Sequence, residues 1–264
     1  AGSMVGLVRR FVSRFGLPLV VLSLLWLTWQ FGQRVAATGW DAWWSRPGSG
    51  GMSALQAVDL VIAMPVSWLP LVADYARYGR SPGGALRGTW LGYALANIWC
   101  YALGVLVVAT AEPGADLVSS LLLAQGGLIA LGLILIDEVD NAYGDVHSGA
   151  VSLHFLARGR GSIRRNGMAL AALATGCALV LPMHGIEPFL LLLSSVFVPL
   201  FGVVVSQLIW GAPPARAVRW APALLWIAGI AVFHLGARWW PQWGSALPAL
   251  AFTLALGSAL RWAG

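Results

Sequence analysis

The chain contains no lysine. Its 16 basic residues are all arginine, against 10 acidic ones, and charged side chains make up only 10% of the 264 residues. Soluble domains carry roughly a quarter charged residues, so this chain cannot cover itself with a solvated surface. The preference for arginine reads as genome composition and carries no chemistry. Cysteine is nearly absent. Cys100 and Cys177 sit in separate apolar runs, which excludes a disulfide framework and predicts buried free thiols. The net charge of +6 is spread along an apolar chain instead of being gathered in a basic patch, so nucleic acid is excluded as a partner.

What the chain does have is hydrophobic length. Hydrophobic residues are 59% of it, and its mean hydropathy is +0.77. At roughly 20 apolar residues per span, the length suffices for about eight spans. Apolar segments run over 15–32, 54–78, 86–110, 127–156, 167–184, 187–210, 220–237 and 246–262. A shorter piece, 116–125, cannot span and reads as a re-entrant or interfacial helix. The prediction is an all-α membrane protein, one transmembrane domain over 1–264, with the lipid bilayer as its surroundings. Arg9, Arg10, Arg14, Arg77, Arg80, Arg87, Arg158, Arg160, Arg164, Arg165, Arg216, Arg219 and Arg261 fall on one side of such an arrangement. Arg34, Arg46 and Arg238 fall on the other. The positive-inside rule makes the richer side cytoplasmic, with both termini there, in a bacterial-type inner membrane. Trp40, Trp43, Trp44, Trp239, Trp240 and Trp243 lie in the outer loops, and Trp210, Trp220 and Trp262 near the inner face, as an aromatic belt requires.

Two segments break the apolar pattern. The segment 54–78 carries Pro65 and Pro70 in its middle. Each proline removes a backbone donor and crowds the preceding turn, which predicts a discontinuous helix around Met64–Pro70. Irregular backbone at membrane depth survives only where it lines a cavity or is buried in protein. Asp59, in the outer half of this segment, reads as a neutral packing residue.

The segment 127–156 carries Asp137, Glu138, Asp140 and Asp145 inside an apolar run. One such charge at the bilayer centre costs about 2.5–3.5 kcal/mol. At helical periodicity Asp137, Asp140, Asn141, Gly144, Asp145, Ser148 and Ser152 share an arc of about 140°. Glu138 lies at one edge, His147 and His154 at the other. That polar stripe must face protein, a water-filled cavity or a cation, and its hard oxygen ligands suit Na+ or H+. A broken helix together with a polar one points to a secondary transporter. His184 and His234, near the outer ends of their spans, read as interfacial.

The string SWLPLVADYARYGRS, Ser67 to Ser81, resembles the signature of the purine–cytosine permease family, the nucleobase–cation symporters. The polar string from Asp140 to Ser148 and the intervening GTWLGYALANIWCYALG run resemble the same family, the latter most closely its hydroxymethylpyrimidine permease branch. The resemblance implies a partial LeuT-like inverted-repeat fold, with this chain supplying helices five to twelve of twelve. On that basis 54–78 is the sixth helix and 127–156 the eighth, the substrate and cation helix. Four helices are then expected ahead of residue 1 and are required for activity. The implied function is import of a nucleobase or related pyrimidine, such as cytosine or hydroxymethylpyrimidine, coupled to Na+ or H+. Carboxylates at Asp137 and Glu138 stand where sodium-coupled relatives place paired hydroxyls, which leaves both ions open.

Chemistry assigns the candidate roles. Trp68 can stack on a flat base, and Ser67 with the freed carbonyls of Met64 to Val66 can bond its edge. Asp140, Asn141 and Asp145 are acceptors for its N–H groups, and Asp137 and Glu138 handle the cation or proton. Asp74 and Arg77, three apart on one face, form a local ion pair or an inner gate. No cofactor is expected beyond the coupling ion. An enzyme such as an intramembrane aspartyl hydrolase is disfavoured, because the carboxylates cluster on one helix. A non-transporting membrane scaffold or receptor is the alternative reading. Cysteines introduced at Ser49 and Gly161 should label from opposite sides of the membrane, and labelling from the same side would show the span count between them to be wrong.

Overall fold

The computed structural model describes residues 12–45, 47, 50–111, 117–122, 124–181, 186–210 and 220–262. Arg9, Arg10, Arg46, Ser49, Asp116, His184, Arg216 and Arg219 lie outside the described residues. All regular structure among them is helical. A π-helical turn, Val12–Gly16, leads into α1 (Leu17–Thr38), which ends where the Gly39 N–H closes on the Val35 carbonyl at 3.0 Å. The short α2 (Trp40–Trp44) follows. Next come α3 (Ala54–Ser67) and α4 (Leu69–Ala76). A serine cap at Ser81 and the first-turn Pro82 start α5 (Pro82–Thr110). Then come α6 (Leu117–Leu122), α7 (Gly127–Leu156), α8 (Ile163–Val180), α9 (Ile186–Trp210), α10 (Ala221–Trp239) and α11 (Ala246–Trp262).

The helices fall into two compact units. One comprises Ala1–Pro47 with Ser81–Val180, the other Gly48–Arg80 with Leu181–Gly264. In the first unit α1 packs on α5 and α7, and α8 packs on α7. Leu27, Phe31, Leu103, Val107, Ala124 and Ala130 form its buried centre. Indole N–H groups tie its elements together, because a donor within hydrocarbon needs an acceptor from the protein. Trp99 Nε1 donates to Thr28 Oγ1 at 2.9 Å. Trp26 Nε1 donates to the Gln125 carbonyl at 2.7 Å, holding the turn that opens α7.

The second unit packs α9 against α11, α10 and α3. Lipid tails are as apolar as leucine, so helices in a bilayer associate through close packing of small residues. Ser194, Ser195, Ser206 and Thr253 are all buried here. Their hydroxyls, where bonded, return to their own helix. Ser195 donates to the Leu192 carbonyl at 2.7 Å, Ser206 to Val203 at 2.7 Å, and Thr253 to Ala249 at 2.9 Å. A hydroxyl bonded in this way packs like a small apolar group. Gly202 lies against Thr253 and Gly257 against Ser206, so closely that a Cβ at either glycine would collide.

Every apolar segment of the sequence contributes helix, but the helices differ in fitness to cross a membrane. Among the described residues five stretches are long and apolar enough: Arg14–Thr38, Ala54–Ala73, Pro82–Thr110, Glu187–Trp210 and Ala221–Trp239. Of the remaining three expected spans, α7 has the length, at 30 residues, but carries the carboxylates. The 18-residue α8 opens on Arg164, Arg165 and Asn166, and the apolar part of α11 is only Ala246–Ala259. Cys100 and Cys177 are free but exposed, not buried. The runs that hold them turn large side chains outward, with Ile98 at 67% and Leu179 at 82% exposure. Hydrophobicity marks a lipid-facing surface here as much as a core.

Gly257→Leu should destabilise the second unit by about 1–3 kcal/mol through overpacking, whereas Cys177→Ser should be neutral. Melting of the purified variants in detergent checks both. Wild-type stability of Gly257→Leu would mean that α9 and α11 are not in close contact.

Candidate functional site

The segment 54–78 folds as two helices meeting at Trp68. A capping box starts α3: the Ser53 hydroxyl accepts from Gln56 N at 3.2 Å, and Gln56 Oε1 accepts from Ser53 N at 2.8 Å. Pro65 lies inside α3. Pro70 falls in the first turn of α4, where a missing N–H costs nothing. Between them Trp68, at φ −89° and ψ −8°, closes α3 and opens α4. Its N–H donates to the Pro65 carbonyl at 3.3 Å, and its carbonyl accepts from Leu71 N at 2.9 Å.

This interruption is much tighter than an unwound Met64–Pro70 stretch. The freed carbonyls expected between Met64 and Val66 are largely spoken for. The Met64 carbonyl accepts from Ser67 Oγ at 2.7 Å, and that of Pro65 from Trp68. The proline spacing leaves one non-helical residue because the serine hydroxyl replaces a lost rung and Pro70 sits where helices tolerate proline. Ser67 and Trp68 are both half-buried at the joint. The Ser67 hydroxyl has given its proton to the chain and keeps its lone pairs as acceptors.

Toward the end of α4, the Arg77 guanidinium donates to Tyr78 Oη at 3.1 Å and lies 5.0 Å from that ring's centroid. The Asp74 side chain is outside the described residues, so the pairing of Asp74 with Arg77 is not part of this geometry.

Asp59 is not the idle packing residue the sequence suggests. It is 5% exposed, and its two oxygens accept from Ser245 N at 2.6 Å and Ala246 N at 3.0 Å. Those are the first backbone donors of α11, the positive end of that helix. The approach is shaped by Gly244, at φ 66°, where a Cβ would press on the Leu55 carbonyl at 2.9 Å and on Asp59 itself at 3.0 Å. Ser53 Oγ adds a bond to the Gln242 carbonyl at 3.1 Å. Ile62 and Val66 pack on the cluster of Val198, Phe233, Ala246 and Ala249. The first part of the interrupted helix, α3, is therefore fixed along its length to α9–α11. Sequence inspection missed this because the partner lies 186 residues away. The available signal was the turn Gly244-Ser245-Ala246 before an apolar run, a helix start with donors to fill.

The carboxylate helix belongs to the first unit. It is unbroken from Gly127 to Leu156. Its N-terminal part packs Ala130 into the core with Leu27 and Phe31. Its later part meets α8, where Gly167 lies against Val146 and Ala150. Glu138 and Asp145 are exposed in this unit, and Asn141, Gly144 and Ser148 are half-buried. Tyr143 and His147 stack at 6.2 Å, 11° from parallel. The side chains of Asp137 and Asp140 lie outside the described residues. The structure thus gathers Ser67 and Trp68 at one helix joint, and Glu138, Asn141 and Asp145 on one helix.

Comparison with known proteins adds a further finding. Residues 15–212 match the family described as permeases for cytosine/purines, uracil, thiamine and allantoin. Cytosine permeases of Escherichia coli strain K12 and two further strains of that species are each 26% identical over 227 residues, covering 74% of this chain and 51% of their own. The chain thus spans about half the length of the curated relatives it matches. No solved structure matches it.

Asp59→Ala should cost about 2–4 kcal/mol by leaving two buried donors without acceptors. Asp59→Asn should recover little, since its amide N–H turns a donor toward a donor. Hydrogen exchange at Ser245 and Ala246 should accelerate in both variants. Unchanged exchange there would show that Asp59 does not hold α11.

Proposed function

Because the chain belongs to the family of permeases for cytosine/purines, uracil, thiamine and allantoin, we propose that it forms the substrate-handling part of a secondary active transporter. The observation that carries this reading is the extent of the match: residues 15–212 take in both the interrupted helix and the whole carboxylate helix. The cargo we assign is a nucleobase or related pyrimidine such as cytosine or hydroxymethylpyrimidine, imported with Na+ or H+. The name of the matching relatives, cytosine permease, supports the choice of class. The protein acts as a transporter and not as an enzyme.

The division of labour follows from chemistry. Trp68 offers a flat indole face, a stacking partner worth about 1 kcal/mol against a heteroaromatic ring. Ser67, its proton already donated to Met64, presents lone pairs to a donor on the substrate edge. Asp140, Asn141 and Asp145 accept ring N–H and exocyclic amine donors, and charge-assisted bonds of this type are the strong ones. Asp137 and Glu138 bind Na+ or exchange a proton. Asp74 and Arg77 form the inner gate. The arrangement we favour is a LeuT-like inverted repeat in which one repeat rocks against the other around a midplane site, with both termini cytoplasmic. Transport then requires the helices of the first repeat, beyond these 264 residues.

Radiolabelled cytosine and hydroxymethylpyrimidine uptake, in cells lacking their own permeases, tests the reading. Residues 1–264 alone should give no saturable uptake, and co-expression with four upstream helices should restore it. Saturable uptake by the chain alone would overturn the requirement. Absence of uptake and of nucleobase binding in the completed protein would favour the scaffold or receptor reading. In the completed protein, Asp140→Asn should lower uptake by about tenfold, equivalent to one lost charge-assisted bond, at near-normal folded yield. Equal loss of uptake and folded protein would reduce the stripe to a structural network.

A further inference from the structure

The turn between α7 and α8 gathers donors that the transport reading does not use. Between Asp145 and Glu187 the sequence holds no carboxylate, yet Arg158, Arg160, Arg164 and Arg165 fall there, all exposed. The turn is wound tightly. Arg158 at φ 53°, Gly159 at φ 78° and Gly161 at φ 83° all have left-handed backbone, and the Gly159 N–H closes on the His154 carbonyl at 2.9 Å. That winding sets side chains from the two helices against the two glycines of the turn. The Arg165 guanidinium folds back until Nη2 lies 2.8 Å from the position a Cβ on Gly161 would occupy, with Asn166 Oδ1 3.6 Å from it. From the other side, His154 Nε2 reaches within 4.0 Å of the equivalent position on Gly159. His154 Nδ1 and Asn166 Nδ2 are buried and have no hydrogen-bond partner. Buried polar atoms are nearly always paired, so the Asn166 Nδ2 donor, next to Arg165, calls for an acceptor.

Apolar side chains flank the same turn. Phe155 is 76% exposed, Leu156 81% and Ile163 38%. A free phosphate would use the donors and leave these side chains idle. An amphiphile with an anionic head uses both. The turn also lies on the face that the arginine asymmetry assigns to the cytoplasm, where membranes carry anionic lipid. We infer that the α7–α8 turn is a binding site for the headgroup of an anionic phospholipid. The phosphodiester sits among Arg164, Arg165 and Asn166, and the acyl chain runs along Phe155 and Leu156. Such a site anchors the cytoplasmic end of the carboxylate helix to the membrane surface.

The alternative is that these arginines act only as a topology signal, like Arg80 and Arg87 around the start of α5. Melting of purified residues 1–264 in neutral detergent, with added phosphatidylglycerol or phosphatidylcholine, separates the two. Phosphatidylglycerol should stabilise the wild type and phosphatidylcholine should not. In Arg164→Gln/Arg165→Gln, the phosphatidylglycerol concentration for half-maximal stabilisation should rise about tenfold or more, at roughly fivefold per arginine. Arg80→Gln/Arg87→Gln should stay within about twofold of wild type. If the first double variant fails to fold, Arg160→Gln should show an increase of about fivefold in its place. Equal stabilisation by phosphatidylcholine would overturn the proposal. So would equal sensitivity of the two arginine pairs, or full stabilisation by millimolar inorganic phosphate without lipid.

Discussion

A backbone amide inside hydrocarbon has no water to turn to, and leaving it unpaired costs several kcal/mol. That constraint governs each departure from helix described above. The joint at Trp68 is one residue wide because most of the groups freed around the prolines are taken up again. Ser67 Oγ fills the Met64 carbonyl, and the Trp68 N–H and carbonyl bond to either side. At helix starts, Ser53 and Ser81 supply caps from their own chain neighbours. At α11 the cap comes from another helix, through Asp59. A local cap ends a helix. A distant one also fixes two helices to each other, which makes Asp59 a cap and a tie at once.

The two units meet the requirement in different ways. In the first, long side chains reach across: Trp99 to Thr28 and Trp26 to the Gln125 carbonyl. In the second, hydroxyls turn back onto their own helix and leave the interface to van der Waals contact, with Gly202 and Gly257 permitting the approach. Back-bonded hydroxyls make close contact possible without adding directional bonds between helices. Asp59 supplies the directional element there, at the start of α11. The first part of the interrupted helix, α3, is thereby held by packing along Ile62 and Val66 and by the hydrogen bonds at Asp59.

Much of the fold was legible because the bilayer imposes length and hydrophobicity on every crossing element, and both are read directly from residue types. The positions of the interrupted helix, the short helix at Leu117–Leu122 and the long polar helix follow from that. The extent of the interruption was not legible. Pro65 and Pro70 predict lost donors, but whether the carbonyls they orphan stay free depends on the Ser67 rotamer and on Pro70 landing in a first turn. The exposure of Cys100 and Cys177 was misread for a related reason. In water an apolar run means burial, and in lipid it means burial or lipid contact alike. The role of Asp59 was hidden by sequence distance, since its partners lie at Ser245 and Ala246. Glu138, Asn141 and Asp145 stood out at once because polar residues are costly in such a run. Their facing partners depend on packing that residue type does not encode.

Intramembrane carboxylates in this chain fall into two kinds, and hydrogen-bonding capacity separates them. Asp59 has both oxygens engaged by backbone donors and is nearly inaccessible, so its place is accounted for by the fold. Glu138 and Asp145 lie exposed on α7, and among the described residues no hydrogen bond engages them. A carboxylate in an apolar helix costs the same to insert in either case. Where protein donors offset that cost, the residue serves the fold. Where they do not, the donor must be water, a cation or a substrate. The distinction sets Glu138 and Asp145 apart from Asp59 and is the physical ground for the role proposed for them. It also explains how a chain with so few charges keeps some of them at membrane depth.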